Sequence, residues 1–174
     1  MEAIYLEENL HKFEEFALEC ISKTNLPSLS VAVVKDGKIV YSKGFGVRNK
    51  AYGFRATPNT LYAIGSVTKS FTALSIMQLF NEGKISLEDP VGNYAPLKLE
   101  GMGEPVRIWH LLTHSSGIPA LAYAEAISRY ATGAGGKWIP MATYDELFAF
   151  MQEAERWALT KPGERWFYLN EGYL

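Results

Sequence analysis

A single cysteine, Cys20, leaves the sequence without an internal disulfide and without a thiolate metal cluster. Such scarcity suits a reducing compartment. Charge of either sign is also short of a surplus: 17 lysines and arginines stand against 19 aspartates and glutamates, for a net charge of -2, and no basic run stands out. That balance carries no electrostatic footprint for a phosphate backbone or an anionic bilayer, so neither nucleic acid nor membrane is expected as a partner. No apolar run approaches the roughly 20 residues that cross a membrane. The opening residues MEAIYLEENLHKFEEF are acidic and amphipathic and lack the basic, apolar and small-residue segments of a secretory signal, so the expected location is cytoplasmic. Internal repeats, low-complexity tracts and linkers are missing too, and the 174 residues read as one domain.

What is present is ordinary globular composition, 48% apolar and 21% charged, enough for a sizeable core. Leu6, Leu10, Phe13, Ala17 and Cys20 or Ile21 fall on one stripe, the spacing of an amphipathic helix that Pro27 stops. LSVAVVKDGKIVYSKGFG then holds two β-rich runs around Asp36 and Gly37, which predicts a hairpin with strands near 28 to 35 and 38 to 46. After a polar loop through NKAYGFRATPNT, a helix is expected from near Ser66 to Asn81, ended by Gly83 in the left-handed cap position. It is apolar nearly all round, which predicts burial. Residues 84 to 140 are rich in glycine and proline, with short helices that include VRIWHLLTHSSG. Thr143 and Glu146 then form a capping-box pattern for a helix through about Trp157.

Chemistry enters at GSVTKSFTAL, where Ser66 and Lys69 stand three apart near a helix start. On a helix such side chains are neighbours, so the Lys69 amine reaches the Ser66 hydroxyl. A serine hydroxyl is a poor nucleophile until a base takes its proton, and a lysine serves as that base when burial and a helix N-terminus favour its neutral form. The pattern alone is short: Ser66 equally suits a helix cap, and Lys69 a snorkelling surface amine. Further along, PGERWFYLNEGYL contains Tyr168 and Asn170, the chain's only Y-x-N. Read alone, Tyr168 packs under a loop and Asn170 starts a helix. His110 and His114 are four apart on a predicted helix, a spacing open to a metal, yet no glutamate follows His110 and no third ligand is evident, so packing is the expected role.

GSVTKSFTAL, VRIWHLLTHSSGIP and PGERWFYLNEGYL, in this order, resemble the serine β-lactamase and penicillin-binding-protein superfamily, in particular the branch with class C β-lactamases, D-specific peptidases and related esterases. The similarity runs over roughly residues 25 to 174. It implies that Ser66 is an acylated nucleophile, Lys69 the lysine of the first motif, and Tyr168 and Asn170 the polar pair of the second. Tyr168 beside Lys69 would shuttle protons to and from the serine oxygen, and Asn170 would orient Lys69 and a substrate carbonyl. The base is left open between Lys69 and Tyr168. The resemblance implies no cofactor and no metal, and it places HLLTHSSG in packing and turn formation.

The same family closes its site with a lysine or histidine, a small residue and a glycine on a later strand. Lys23-Thr24-Asn25 lacks the glycine and comes too early, and His114-Ser115-Ser116-Gly117 ends a helix before Tyr168. The expected fold is therefore α+β and β-lactamase/transpeptidase-like, an antiparallel sheet flanked by helices plus a helical subdomain, here lacking the C-terminal strands. Residues 1 to 65 would supply the first helix and hairpin, and 66 to 174 the nucleophile helix and a mostly helical region. The expected function is a serine hydrolase that forms an acyl-enzyme on an ester, a D-amino-acid peptide or a β-lactam-like amide, with small molecules or short peptides as substrates. Without the third motif the 174 residues alone are expected to turn over little, and to associate with themselves or with a C-terminal complementing segment. The alternatives are a non-catalytic binding relative and a fragment that complements a second chain.

Overall fold

In the computed structural model, which describes residues 2–120, 143–151 and 154–174, Asp36 and Gly37 both take positive φ, 51° and 72°. That is the backbone of a two-residue hairpin turn matched to right-handed strand twist. It joins β1 (Ser28–Lys35) to an antiparallel β2 (Lys38–Asn49), with Lys35 opposite Lys38 and Ser28 opposite Gly46. The hairpin lies where the sequence places it, but β2 runs three residues further than expected. Its extension pairs with β3 (Phe54–Arg55), inside the segment expected to be loop, and the sheet has the order β1-β2-β3.

This sheet belongs to the first of two compact units, Met1–Ala63 and Ile64–Leu174. Helix α1 (Glu2–Thr24) covers it. Of the predicted stripe, Ala17 is buried and Leu10, Phe13, Cys20 and Ile21 are half-buried; the side chain of Leu6 lies outside the described residues. Phe13 sets its ring edge-on to Tyr41 at 6.1 Å, and Phe45 is buried. Glu14 accepts from Lys43 Nζ at 2.6 Å and from Tyr41 Oη at 2.9 Å. The Lys43 hydrogen bond, then that of Tyr41, hold the Glu14 carboxyl below its ordinary range. Desolvation first, and Glu14 second, push the Tyr41 phenol up to about 12.

The second unit opens with Gly65 at φ 53° and a 3-10 turn over Gly65–Val67 that feeds α2 (Thr68–Asn81). Gly83, at φ 68°, ends the helix: its N–H reaches Phe80 O, and Lys84 N–H reaches Leu79 O, closing carbonyls that the helix leaves open. The expected burial of this helix does not hold. No residue of α2 is buried, and Phe71 and Leu74 remain 61% and 58% exposed. Thr72 and Ile76, both half-buried, line a cavity of about 290 Å³ with Val91, Leu111, Phe148 and Tyr173.

The core of this unit gathers around Val106, Ile118, Leu147, Met151 and Leu169. A tight pair, β4 (Glu100–Gly101) and β5 (Glu104–Pro105), precedes α3 (Ile108–Leu112). Helix α4 (Tyr144–Met151) starts on the predicted capping box: Thr143 N–H donates to Glu146 Oε2 at 3.0 Å, and Glu146 N–H to Thr143 Oγ1 at 3.3 Å. It stops short of Trp157, where Ala154–Trp157 forms a 3-10 turn instead. Of the stretch predicted to hold short helices, residues 121–140 lie outside the described residues. The whole is α+β, with small antiparallel sheets and helices.

Candidate active site

The turn at Gly65, whose positive φ glycine adopts freely, presents Ser66 to solvent at the entry to α2. Ser66 is not a cap: Ile64 and Val67 hold the cap positions of the turn and the helix, and neither makes a side-chain cap bond. Its Oγ instead accepts from Lys69 Nζ at 3.3 Å, one helical turn on, and from Tyr168 Oη at 2.6 Å, 102 residues on. Lys69 Nζ also donates to Asn170 Oδ1 at 2.7 Å. The four residues singled out in the sequence thus form one connected hydrogen-bond network within the second unit.

Aromatic faces complete the setting of the amine. Lys69 Nζ lies 4.9 Å from the Tyr168 ring centroid and 5.7 Å from that of Tyr173, both within reach of the attraction between a cation and a ring face. Tyr173, which sequence reasoning passed over, is fixed by its hydroxyl donating to Leu112 O at 2.6 Å. The Tyr168 phenol is held below its ordinary range, chiefly by its side-chain hydrogen bond with Lys69 and then by that with Ser66, against a desolvation that pushes the other way. A phenol so placed can become a phenolate with a proton acceptor's lone pair aimed at the serine hydroxyl.

The segment bearing Tyr168 and Asn170 is carried by the HSSG stretch after α3. Leu159 N–H donates to Gly117 O at 2.9 Å, Gly163 N–H to Ser115 O at 2.7 Å, and Phe167 N–H to His114 O at 2.7 Å. Gly117, at φ 80°, comes so close to Thr160 that a Cβ there would overlap the Thr160 carbonyl oxygen. Packing and turn formation, expected for this motif, thus have a specific object: the strip that carries the second motif. The two histidines do not share a site. His110 is buried, its Nδ1 accepting Arg107 N–H at 2.9 Å, while His114 Nδ1 accepts Leu169 N–H at 3.2 Å. Burial holds both imidazoles below their ordinary range. Among the described residues, no group of three or more histidine, cysteine or carboxylate side chains is placed to hold a metal. None of their helices is long and apolar enough to cross a membrane.

The model of the family described as Beta-lactamase matches residues 7–174. Among solved structures, an octameric penicillin-binding protein homologue from Pyrococcus abyssi is 51% identical with a TM-score of 0.84, over 94% of this chain and 36% of that one. Among curated proteins, Protein flp of Staphylococcus aureus (strain NCTC 8325 / PS 47) is 37% identical over 103 residues, 58% of this chain and 21% of its own length. Teichoic acid D-alanine hydrolase of Staphylococcus aureus (strain MRSA252) is 40% identical over 89 residues, 51% of this chain and 22% of its own. The chain spans about a fifth of the length of these curated relatives and about a third of that solved chain.

Proposed function

The chain belongs to the Beta-lactamase family, within the serine β-lactamase and penicillin-binding-protein superfamily, and on that premise we propose that it carries the nucleophile and proton-transfer groups of a serine hydrolase working through an acyl-enzyme. One observation carries the reading: Lys69 and Tyr168, from opposite ends of the unit's sequence, converge on a single oxygen, Ser66 Oγ. In this reading Tyr168 as phenolate takes the Ser66 proton while Oγ bonds to the substrate's carbonyl carbon. The phenol then hands that proton to the departing alcohol or amine as its bond to carbon breaks. Water repeats the sequence: it loses a proton to the phenolate, adds to the acyl carbon, and the Ser66 ester bond breaks with Oγ reprotonated. Lys69 keeps the phenolate favourable and ties Asn170 by its Oδ1, which leaves the amide N–H₂ to donate to a substrate carbonyl. The Ser66 backbone N–H serves as one oxyanion donor, worth about 10²- to 10³-fold in rate when such a donor is removed.

For substrate the reading favours an ester or a short peptide with a D-configured residue over a β-lactam drug. An exposed nucleophile with a proton shuttle suits ester and amide leaving groups alike, and one relative is named for D-alanine hydrolysis from teichoic acid. Self-association is proposed as well, since Val34 and Ile39 of the hairpin and Phe71 and Leu74 of α2 are exposed apolar side chains. Sedimentation velocity should show species larger than a monomer; a monodisperse monomer at high concentration would remove that part. The test of the chemistry is covalent: a fluorophosphonate should add one adduct to the full gene product, on the peptide holding Ser66, and none to Ser66→Ala. A protein that binds penicillin or D-alanyl peptides without any Ser66 adduct would be a binding relative instead.

A further inference from the structure

Building on the acyl-serine reading, we propose that His114 is a positioning residue for Tyr168: it grips the backbone on both sides of that tyrosine and so sets the phenol oxygen against Ser66. Phe167 N–H donates to the His114 carbonyl oxygen at 2.7 Å, and Leu169 N–H donates to the His114 ring at Nδ1, 3.2 Å away. The residue between two such anchors keeps one orientation of its Cα–Cβ bond. The His114 ring then lies on the Tyr168 ring, with centroids 4.4 Å apart, and limits its swing. One residue thus fixes the height, direction and ring face of the group 2.6 Å from Ser66 Oγ.

His114 also takes a left-handed backbone, which histidine adopts more readily than most residues with a side chain. Its φ is 57°, in the left-handed region where a helix end usually places glycine or asparagine. From there its side chain holds the N–H of Leu169, a residue only 1% exposed. Without an acceptor that N–H would be buried and unpaired. The bond requires the neutral ring with its proton on Nε2, since a proton on Nδ1 would meet the Leu169 N–H head-on. Burial, then the charge of Lys69, favour the neutral form. Asparagine is the informative replacement: it tolerates positive φ, and its Oδ1 stands close to where Nδ1 stands in histidine.

The test uses the full gene product with ¹³Cζ-labelled tyrosine, the Tyr168 signal being assigned by Tyr168→Phe. The titration midpoint of Tyr168 and the rate of fluorophosphonate labelling at Ser66 are read in wild type, His114→Asn and His114→Phe. In His114→Phe the midpoint should rise toward the ordinary tyrosine value and labelling should slow about 10- to 100-fold, as expected for a misplaced reacting group. His114→Asn should regain both readouts. A wild-type midpoint and rate in His114→Phe would overturn the proposal. Should that variant not fold, ¹⁵N shifts of the wild-type ring decide: an unprotonated Nδ1 supports the proposal, and a protonated Nδ1 overturns it. Absence of any adduct on wild-type Ser66 would count against the acyl-serine reading alone, because the midpoint still reports on whether His114 places Tyr168.

Discussion

Tyr168→Phe removes one oxygen and keeps a ring. The lost atom is the one 2.6 Å from Ser66 Oγ, whereas the ring's contacts with His114 at 4.4 Å and Trp166 at 6.0 Å remain available to phenylalanine. The fold should therefore survive while proton transfer does not. A positioned general base contributes about 10²- to 10⁴-fold, or about 3 to 5 kcal/mol of barrier at 1.36 kcal/mol per tenfold. The assay is the pseudo-first-order rate of fluorophosphonate labelling at Ser66, followed by intact mass from about pH 6 to pH 11. Because Lys69 and Ser66 hold the Tyr168 phenol below its ordinary range, its phenolate appears at lower pH than that of a free tyrosine. The wild-type rate should rise with pH and level off through a midpoint below about 10, the ordinary tyrosine value. Tyr168→Phe should be at least about 100-fold slower and nearly flat over the same range. Labelling of the variant at the wild-type rate, or a wild-type midpoint at or above the ordinary value, would refute Tyr168 as the base.

Gly117→Ala should destabilise by at least about 1 to 3 kcal/mol, since the left-handed backbone is strained for alanine and the added carbon runs into Thr160; an unchanged denaturation midpoint would contradict the close approach of Gly117 to Thr160. Ile118→Ala empties a fully buried position in the core of the second unit and should cost about 2 to 5 kcal/mol in chemical denaturation; a loss under about 1 kcal/mol would mean the core lies elsewhere. Stability of the first unit should fall at both ends of the pH scale. Tyr41 keeps its proton to about 12 in the folded state, so its contribution is complete below the unfolded value of about 10 and is lost as pH rises through about 12. Glu14, held low, contributes above its ordinary range and loses that contribution as pH falls through its depressed value. Thermal unfolding across pH checks both, and Tyr41→Phe should flatten the alkaline side because it removes the group that titrates there; an alkaline loss unchanged in that variant would contradict the assignment.

Local chemistry made part of this molecule legible in advance. Asp36-Gly37 demands positive φ at two successive residues, so the hairpin and the pairing beside its turn follow from a dipeptide, whereas the one-residue register shift between Val33 and Val34 does not. Ser66 and Lys69 are neighbours because any helix makes residues three apart neighbours. The closeness of Tyr168 to Ser66 has no such local cause; it rests on the order of motifs, and a pair 102 residues apart shares no period. β3 and the β4–β5 pair escaped because strands of two residues carry no alternation to detect. The apolar girth of α2 says that the helix wants a partner on most sides, but not which segments supply one, hence the exposed Phe71 and Leu74. The grip of HSSG on the Y-x-N segment is made largely of backbone groups, which every sequence possesses, so it leaves little mark on residue identity.

The central claim, that Ser66 becomes an ester during turnover, is tested most directly by trapping the intermediate. The full gene product is mixed with a p-nitrophenyl ester, quenched in acid within the first turnovers, digested and mapped by mass spectrometry. The account predicts one acyl group on the peptide containing Ser66, absent after Ser66→Ala and sharply reduced after Lys69→Arg, whose guanidinium cannot reproduce the amine's compact bonds to Ser66 and Asn170. Hydrolysis of the ester at an unchanged rate by Ser66→Ala, or an acyl group retained at another residue, would contradict it.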